Sequence, residues 1–588
     1  MAVFFLTFSV LDAAPAILPL KEVRPGMKGE GKTVFAGTKV EGFKFEVMGI
    51  ARDFAGPGYD IIWCKLLSDA TGQMVVAGGM SGSPCYVDGR IMGALAYGWL
   101  FNKEPIFGVQ PIESMLELWS FKGNTRVADG KISFEAPVWA AAGGAAPRTM
   151  ISCMKALAGL GESSVRQMVP LPLEVSGVHP LAADFVNQGF EKAGFAPLAS
   201  GGGGTADLDE VELEPGAALT GVVARGDINL AATGTLTWRD DDRILAFGHP
   251  FLNIGEVNIP CGKAEIIGVV SSYMRSFKMS NKGGIAGVLT QDRLSAVGGR
   301  LGVKPKLVPM QVDLRSSGKN HSYKLEFCDN KIFTPLVFQT VLADALAKGM
   351  ENSEEATLRV KSEIEIDGAP KLVFDDVFSG ERFDWALDAV MEMAGQFLPL
   401  YRSELAMPRI VRIQVEANMS PVVRLARLRS MTVEPMEARA GDALKVKASF
   451  QPWHGERFER EFTIRLPEEV KQGEVTVTLA DADRAKQIEG LRSRGGNDLA
   501  SMEQLVHLLN DRRRHDQLYL FIQRRADGVL LQDQRLPSLP PSVRVLMQND
   551  QTLRSQTMAL QDEVLARQAF EFGTVLSASQ SVTVRIKP

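Results

Sequence analysis

Cysteine and histidine are scarce in this chain, and neither is clustered for chemistry. Its 588 residues hold five cysteines and six histidines. Cys64, Cys85, Cys153, Cys261 and Cys328 are scattered, with no Cys-x-x-Cys pair and no histidine at metal-ligand spacing. That pattern excludes a zinc-ribbon type of site and a dense disulfide framework, and the odd count leaves at least one thiol free. Cys85 reads as a small buried hydrophobe. No metal or other cofactor is called for. A basic excess is missing too: the formal net charge of -5 gives no footprint for nucleic acid and names no charged partner. Arg512-Arg513-Arg514 reads as a solvated helix end rather than a binding patch. Past the N-terminus there is no apolar run long enough to span a membrane, and no short repeat.

Glycine and proline are plentiful, 56 and 30 residues, which points to many turns. The length suits roughly three or four domains. Residues 2–11 (Ala-Val-Phe-Phe-Leu-Thr-Phe-Ser-Val-Leu) read as the apolar core of a signal peptide, with a small-residue cleavage site at Ala14-Pro15-Ala16. The expected organisation is a signal peptide at 1–16, a β-rich block at 17–121, a linker and helical insert at 122–210, a second β-block at 211–320, an α/β region at 321–424 and a sandwich-like domain with a helical insertion at 425–588. Within this, 136–148 reads as linker, 154–160 and 182–193 as helical, and Gly201-Gly202-Gly203-Gly204 as a loop. The alternation Leu444, Val446, Ala448, Phe450 and its repeats at 462–466 and 475–479 point to the C-terminal sandwich. A helix over 499–510 is expected to start on Asn497-Asp498.

Two stretches carry candidate chemistry. The first is Gly78-Gly79-Met80-Ser81-Gly82-Ser83-Pro84, followed by Cys85-Tyr86-Val87, Asp88-Gly89 and Arg90-Ile91-Met92. Asp-Gly between apolar runs marks a two-residue hairpin, so Ser81 sits on a glycine-lined loop just ahead of it. Glycines there let backbone N–H groups converge as an oxyanion hole needs, with Gly79 and Ser81 as donors. Ser83 competes as nucleophile, but Pro84 biases it toward extended geometry. The second stretch is Thr235-Leu236-Thr237-Trp238, a turn at Asp240-Asp241-Asp242, then Arg243 to Phe247, which delivers Gly248-His249-Pro250 at a strand end. His454, His507 and His515 lie among charged residues and look like solvated surface.

Together these two stretches resemble the sporulation protein IVB-type serine peptidases, a trypsin-like family, with the Ser and His segments in permuted order. For those two blocks, and nothing C-terminal to them, the resemblance implies a trypsin-like double β-barrel in circularly permuted order with a helical insert. With the α/β region and C-terminal β-sandwich read from the residue pattern, the expected fold is mainly β. The resemblance also implies an exported serine endopeptidase acting on a protein or peptide substrate, with Ser81 as nucleophile and His249 as general base. The acid is open between two residues. The family's acid lies shortly before the Ser motif, which points to Asp69. Asp227 lies in the block that carries the base, where a carboxylate can orient the far imidazole nitrogen, and it resembles an Arg-Asp pair of the family. An alternative is a non-catalytic or self-processing β-rich scaffold that binds a protein partner.

Overall fold

The computed structural model describes residues 16–54, 56–72, 75–99, 103–120, 172–192, 195–199, 207–272, 276–351, 353–403, 405–489, 501–531, 534–536, 539–549 and 557–588. The signal-peptide core, the 136–148 linker, the 154–160 helix, Cys153 and the four-glycine run lie outside them. The described residues are mainly strand and fall into two compact units. One comprises those below 310 together with 324–340, the other 310–323 with 341–588.

The first unit begins with strands β1 (Lys28–Val34), β2 (Val40–Ala51), β3 (Ile61–Ser68), β4 (Pro84–Val87), β5 (Arg90–Gly98) and β6 (Ile106–Pro111). They form a closed antiparallel barrel in the order β1-β2-β3-β6-β5-β4. Strict alternation in β2 turns Phe43, Phe45 and Val47 inward, and Phe107 meets Phe43 and Phe45 edge-on at 6.1 and 5.9 Å. The β4–β5 turn is the expected one, with positive φ at both Asp88 (49°) and Gly89 (73°). A short helix α1 (Ile112–Leu116) leaves the barrel.

After β7 (Pro172–Ser176), helix α2 (Pro180–Lys192) and β8 (Ala196–Ala199) comes a second set of strands. These are β9 (Ala218–Gly226), β10 (Asn229–Asp240), β11 (Arg243–Ala246), β12 (Gly255–Val270), β13 (Phe277–Arg293) and β14 (Ala296–Leu301). They run β9-β12-β13-β14-β11-β10, and an additional β9–β10 pairing joins the ends. The six strands thus form a second antiparallel ring, open to β7 and β8 along one flank. Numbered by position, both rings have the order 1-2-3-6-5-4. Ser81 occupies the connection between the third and fourth strands of the first ring, and His249 the same connection of the second.

The second unit contains β15 (Glu355–Ile366), β16 (Leu372–Glu381) and β17 (Ile410–Ser420), with residues 310–316 parallel to β17. Two helices follow β16, α3 (Asp384–Ala394) and α4 (Phe397–Arg402), divided at Gly395-Gln396. Farther on, a four-stranded and a six-stranded sheet share one apolar core that includes Leu444, Val446 and Phe450 from one and Val477, Leu520 and Val584 from the other. The helical insertion begins later than expected. It spans Met502–Asn510, and Ser501 caps it by accepting from the Gln504 N–H.

Two surface readings need correction. His515 is not solvated: its Nδ1 lies 2.8 Å from Asp376 Oδ2, and its side chain is 14% exposed. Burial alone would lower its pKa, but hydrogen bonding to Asp376 and Asp483 and the negative charge of Asp376 and Glu392 win and push it up to about 10. Nor are the arginines a free helix end. Arg513 pairs with Glu489 at 2.6 Å, Arg514 with Asp516 at 2.6 Å, and Arg512 stands 4.7 Å over the Phe374 ring.

Candidate active site

The Ser81 loop is held by its carbonyls. Gly78 O accepts from Lys278 N–H (2.9 Å), and Met80 O from both Ser83 N–H (2.9 Å) and Ser83 Oγ–H (2.6 Å). Strand β10 supplies the rest: Thr235 Oγ1–H donates to Gly79 O (3.0 Å), Thr235 N–H to Ser81 O (2.8 Å) and Thr237 Oγ1–H to Gly82 O (2.7 Å). Five consecutive carbonyls therefore each have a donor. On the amide side, Gly78, Met80 and Gly82 donate to Ser276 O, Ala77 O and Leu95 O. The N–H groups of Gly79 and Ser81 have no acceptor among the described residues. Because a trans peptide points its N–H opposite its carbonyl, fixing Gly78 O and Met80 O also fixes the directions of the Gly79 and Ser81 N–H groups.

Two glycines make this loop possible. Gly79 and Gly82 adopt φ of +91° and +93°, where a side chain is strained. At Gly82 a β-carbon would also collide with Thr235 O and the backbone of Phe247.

That close approach brings the two expected site segments together. Gly82 rests on Phe247, two residues before His249, while a β-carbon at Gly248 would lie 3.1–3.2 Å from Ala94, Leu95 O and Ala96 of β5. Phe247 and Gly248 both have positive φ, 69° and 67°. For a phenylalanine this is a strained conformation, located where the chain turns to present His249.

His249 is 2% exposed, and burial lowers its pKa to about 4, so the ring is neutral near pH 7. Its Nδ1 lies 2.8 Å from Pro250 O; since a carbonyl only accepts, Nδ1 carries the proton and Nε2 the lone pair. Nε2 is buried without a partner. Ser81, 0% exposed, likewise has an Oγ with no hydrogen-bond partner. The two groups are not hydrogen-bonded to each other. A donor lacking an acceptor and an acceptor lacking a donor thus lie on adjoining segments. Ser83 is different, because its hydroxyl is committed to Met80 O.

Neither expected acid reaches the imidazole. Asp227 is exposed in the β9–β10 turn, and its Oδ2 accepts from Lys324 N–H at 2.6 Å. Asp227 makes no hydrogen bond to His249, whose Nδ1 is paired with Pro250 O instead. Asp69 is a turn residue: its Oδ1 accepts from Thr71 N–H (3.0 Å) and Thr71 Oγ1–H (2.8 Å), and its Oδ2 is buried without a partner.

The acid that does engage the His249 segment is Asp292, at the end of β13 and 0% exposed. Its oxygens accept from the N–H groups of Phe251 (2.7 Å), Leu252 (2.8 Å) and Ile254 (3.3 Å). Burial raises its pKa to about 6 against the lowering effect of these bonds. Sequence reasoning missed it because nothing local marks an aspartate near a strand end as the anchor of a loop some forty residues earlier. The threonines had a signal: Thr233, Thr235 and Thr237 alternate along one strand, and all three are buried.

No family model, curated protein or solved structure matches the chain.

Proposed function

We propose that the chain is an exported serine endopeptidase of trypsin-like, circularly permuted double-barrel design. Ser81 is its nucleophile, His249 its general base, and its substrate a protein or peptide. One observation carries the reading: the unpartnered Ser81 Oγ and the unpartnered His249 Nε2 lie on segments tied through Thr235 and Phe247. The imidazole tautomer is the one a general base needs, with its lone pair on Nε2. Two rings of one strand order, each offering the same connection, suit a double barrel.

In this mechanism His249 Nε2 takes the Ser81 proton as Oγ attacks the substrate carbonyl, and the N–H groups of Gly79 and Ser81 hold the oxyanion. The imidazolium then protonates the departing amine, leaving an acyl ester on Ser81. Water, deprotonated by His249, hydrolyses that ester. Asp292 acts one step removed, as a positioning residue that fixes the loop carrying the base.

The test is labelling by a fluorophosphonate probe, which needs an activated serine. Wild type and Ser83→Ala should label, while Ser81→Ala and His249→Ala should not and should remain folded. Labelling that survives Ser81→Ala would refute the assignment. A second reading, a non-catalytic scaffold that binds a protein partner, draws on the burial of both groups, which leaves no open path to Ser81. A wild type that stays unlabelled would favour it.

A further inference from the structure

Lys278 is a buried lysine that the mechanism above does not use. It lies on β13, 1% exposed, and no carboxylate pairs with it among the described residues. A lone ammonium in such a place is costly, and burial lowers its pKa to about 7. Its surroundings belong to the Ser81 loop. The backbone N–H of Lys278 holds Gly78 O, and its aliphatic stem runs across Gly79, where a β-carbon would sit 3.2–3.4 Å from three of its carbons. The stem ends with Nζ donating to Thr33 Oγ1 at 2.6 Å, 6.0 Å from the centre of the Phe35 ring.

From Nζ the polar contacts run in one direction. Thr33 Oγ1 lies 3.4 Å from Thr235 Oγ1, and Thr235 donates its own proton to Gly79 O at 3.0 Å. Since Thr235 has one hydroxyl proton and has given it to the carbonyl, it can only accept from Thr33. Thr33, having turned its proton toward Thr235, can only accept from the lysine. The chain of donors is therefore Lys278, Thr33, Thr235, Gly79 O. It closes on the one peptide unit between the Gly79 and Ser81 N–H groups. Chains of aligned donors strengthen one another in a low-dielectric interior.

We propose that Lys278 is a positioning residue for the Ser81 site, fixing the Gly79–Met80 peptide through the Thr33–Thr235 relay and so holding the Gly79 and Ser81 N–H groups in place for an oxyanion. This rests on the serine-peptidase reading for its catalytic meaning, but the positioning itself is measurable without it. A lysine kept only for stability would do the reverse of what is expected here. Replacing a lone buried ammonium by an apolar side chain of similar length removes a desolvation cost and should leave the fold as stable or more so.

The experiment uses the full-length chain with Lys278→Met, Lys278→Arg and Thr33→Val, read in three ways. Thermal unfolding of Lys278→Met should match or exceed wild type. Hydrogen exchange across residues 78–82 should quicken about tenfold in Lys278→Met and Thr33→Val, with partial recovery in Lys278→Arg. The fluorophosphonate labelling rate and kcat on an unstructured protein substrate should fall about tenfold in the first two variants, with KM changed less than twofold. That is less than the hundredfold or more lost when an oxyanion donor is deleted outright. Unchanged exchange in Lys278→Met overturns the positioning role, as does a labelling loss that only tracks lost folded protein. If wild type fails to label while exchange still responds, the peptidase reading fails and the positioning stands.

Discussion

His249 and Asp292 are both buried beside one loop, yet they respond to pH in opposite senses. His249 is lowered from 6.5 to about 4, so its contribution to stability is complete above pH 6.5 and is lost as pH falls through 4. Asp292 is raised from 3.8 to about 6, so its contribution is complete below pH 3.8 and is lost as pH rises through 6. Denaturant unfolding of His249→Gln against wild type isolates the first effect. The variant should lack the loss between pH 6.5 and 4, a difference of about 3 kcal/mol at the acid end by the conversion of pKa units to energy. Parallel stability curves would mean the imidazole is hydrated and freely protonated in the folded chain. Asp292→Asn keeps the shape but replaces an oxygen that accepts from the loop with an amide that donates. It should cost roughly 1–3 kcal/mol and depress kcat strongly, whereas Asp227→Asn, at an exposed turn, should leave kcat within about twofold. The opposite ranking in steady-state assays would return the acid role to Asp227.

At the scale of elements, strand β10 is the piece on which the site is assembled. Its Thr235 and Thr237 side chains supply Gly79 O and Gly82 O with the donors that the backbone does not give those two carbonyls of the Ser81 loop. Thr235→Val and Thr237→Val should each cost roughly 1–3 kcal/mol, the penalty of leaving a buried carbonyl unpaired. Measured together by thermal unfolding they should fall short of the sum, because both release the same loop. Much of this was legible. Asp88-Gly89 and Asp240-Asp241-Asp242 announce their hairpins, and Gly79–Pro84 and Thr235-Leu236-Thr237 stand out as the two stretches with candidate chemistry. What the pattern did not reveal is how the two meet: the threonine hydroxyls bind the carbonyls on either side of Met80-Ser81. His515 shows the opposite failure. Its charged sequence neighbours suggested solvent, but Asp376, 139 positions away, is the partner that buries it. Held up to about pH 10, His515 contributes stability that is complete below pH 6.5 and is lost as pH rises through 10. His515→Phe should therefore cost roughly 3–5 kcal/mol at pH 7 by stranding Asp376, whose side chain is 5% exposed. The cost should shrink toward pH 10 in urea titrations.

At the scale of the molecule, the sequence order of the two site-bearing blocks says little about their assembly. Each block closes its own six-stranded ring, and the rings share one strand order. Ring closure was not visible in the sequence, because it depends on the β1–β4 and β9–β12 pairings between strands that are not consecutive. The contacts that join the rings are equally non-local. Among the described residues they include the bonds from Thr235 and Thr237 to the Ser81 loop, the Lys278 bond to Thr33, the Gly78–Phe277 bridge and the Gly37–Ile266 bridge. None of them passes through residues 136–148. A protease site placed in that stretch should therefore be cleavable without separating the halves. The two fragments should co-elute in gel filtration at native pH, part in denaturant, and retain the probe-labelling rate of the uncut chain within about twofold. Adding Thr235→Val, Thr237→Val and Lys278→Met to the cleaved protein removes these side-chain ties while sparing the backbone bonds, so dissociation should then begin at lower denaturant than in the cleaved wild type. Fragments that separate on cleavage alone would show that the covalent connection, not these contacts, holds Ser81 beside His249.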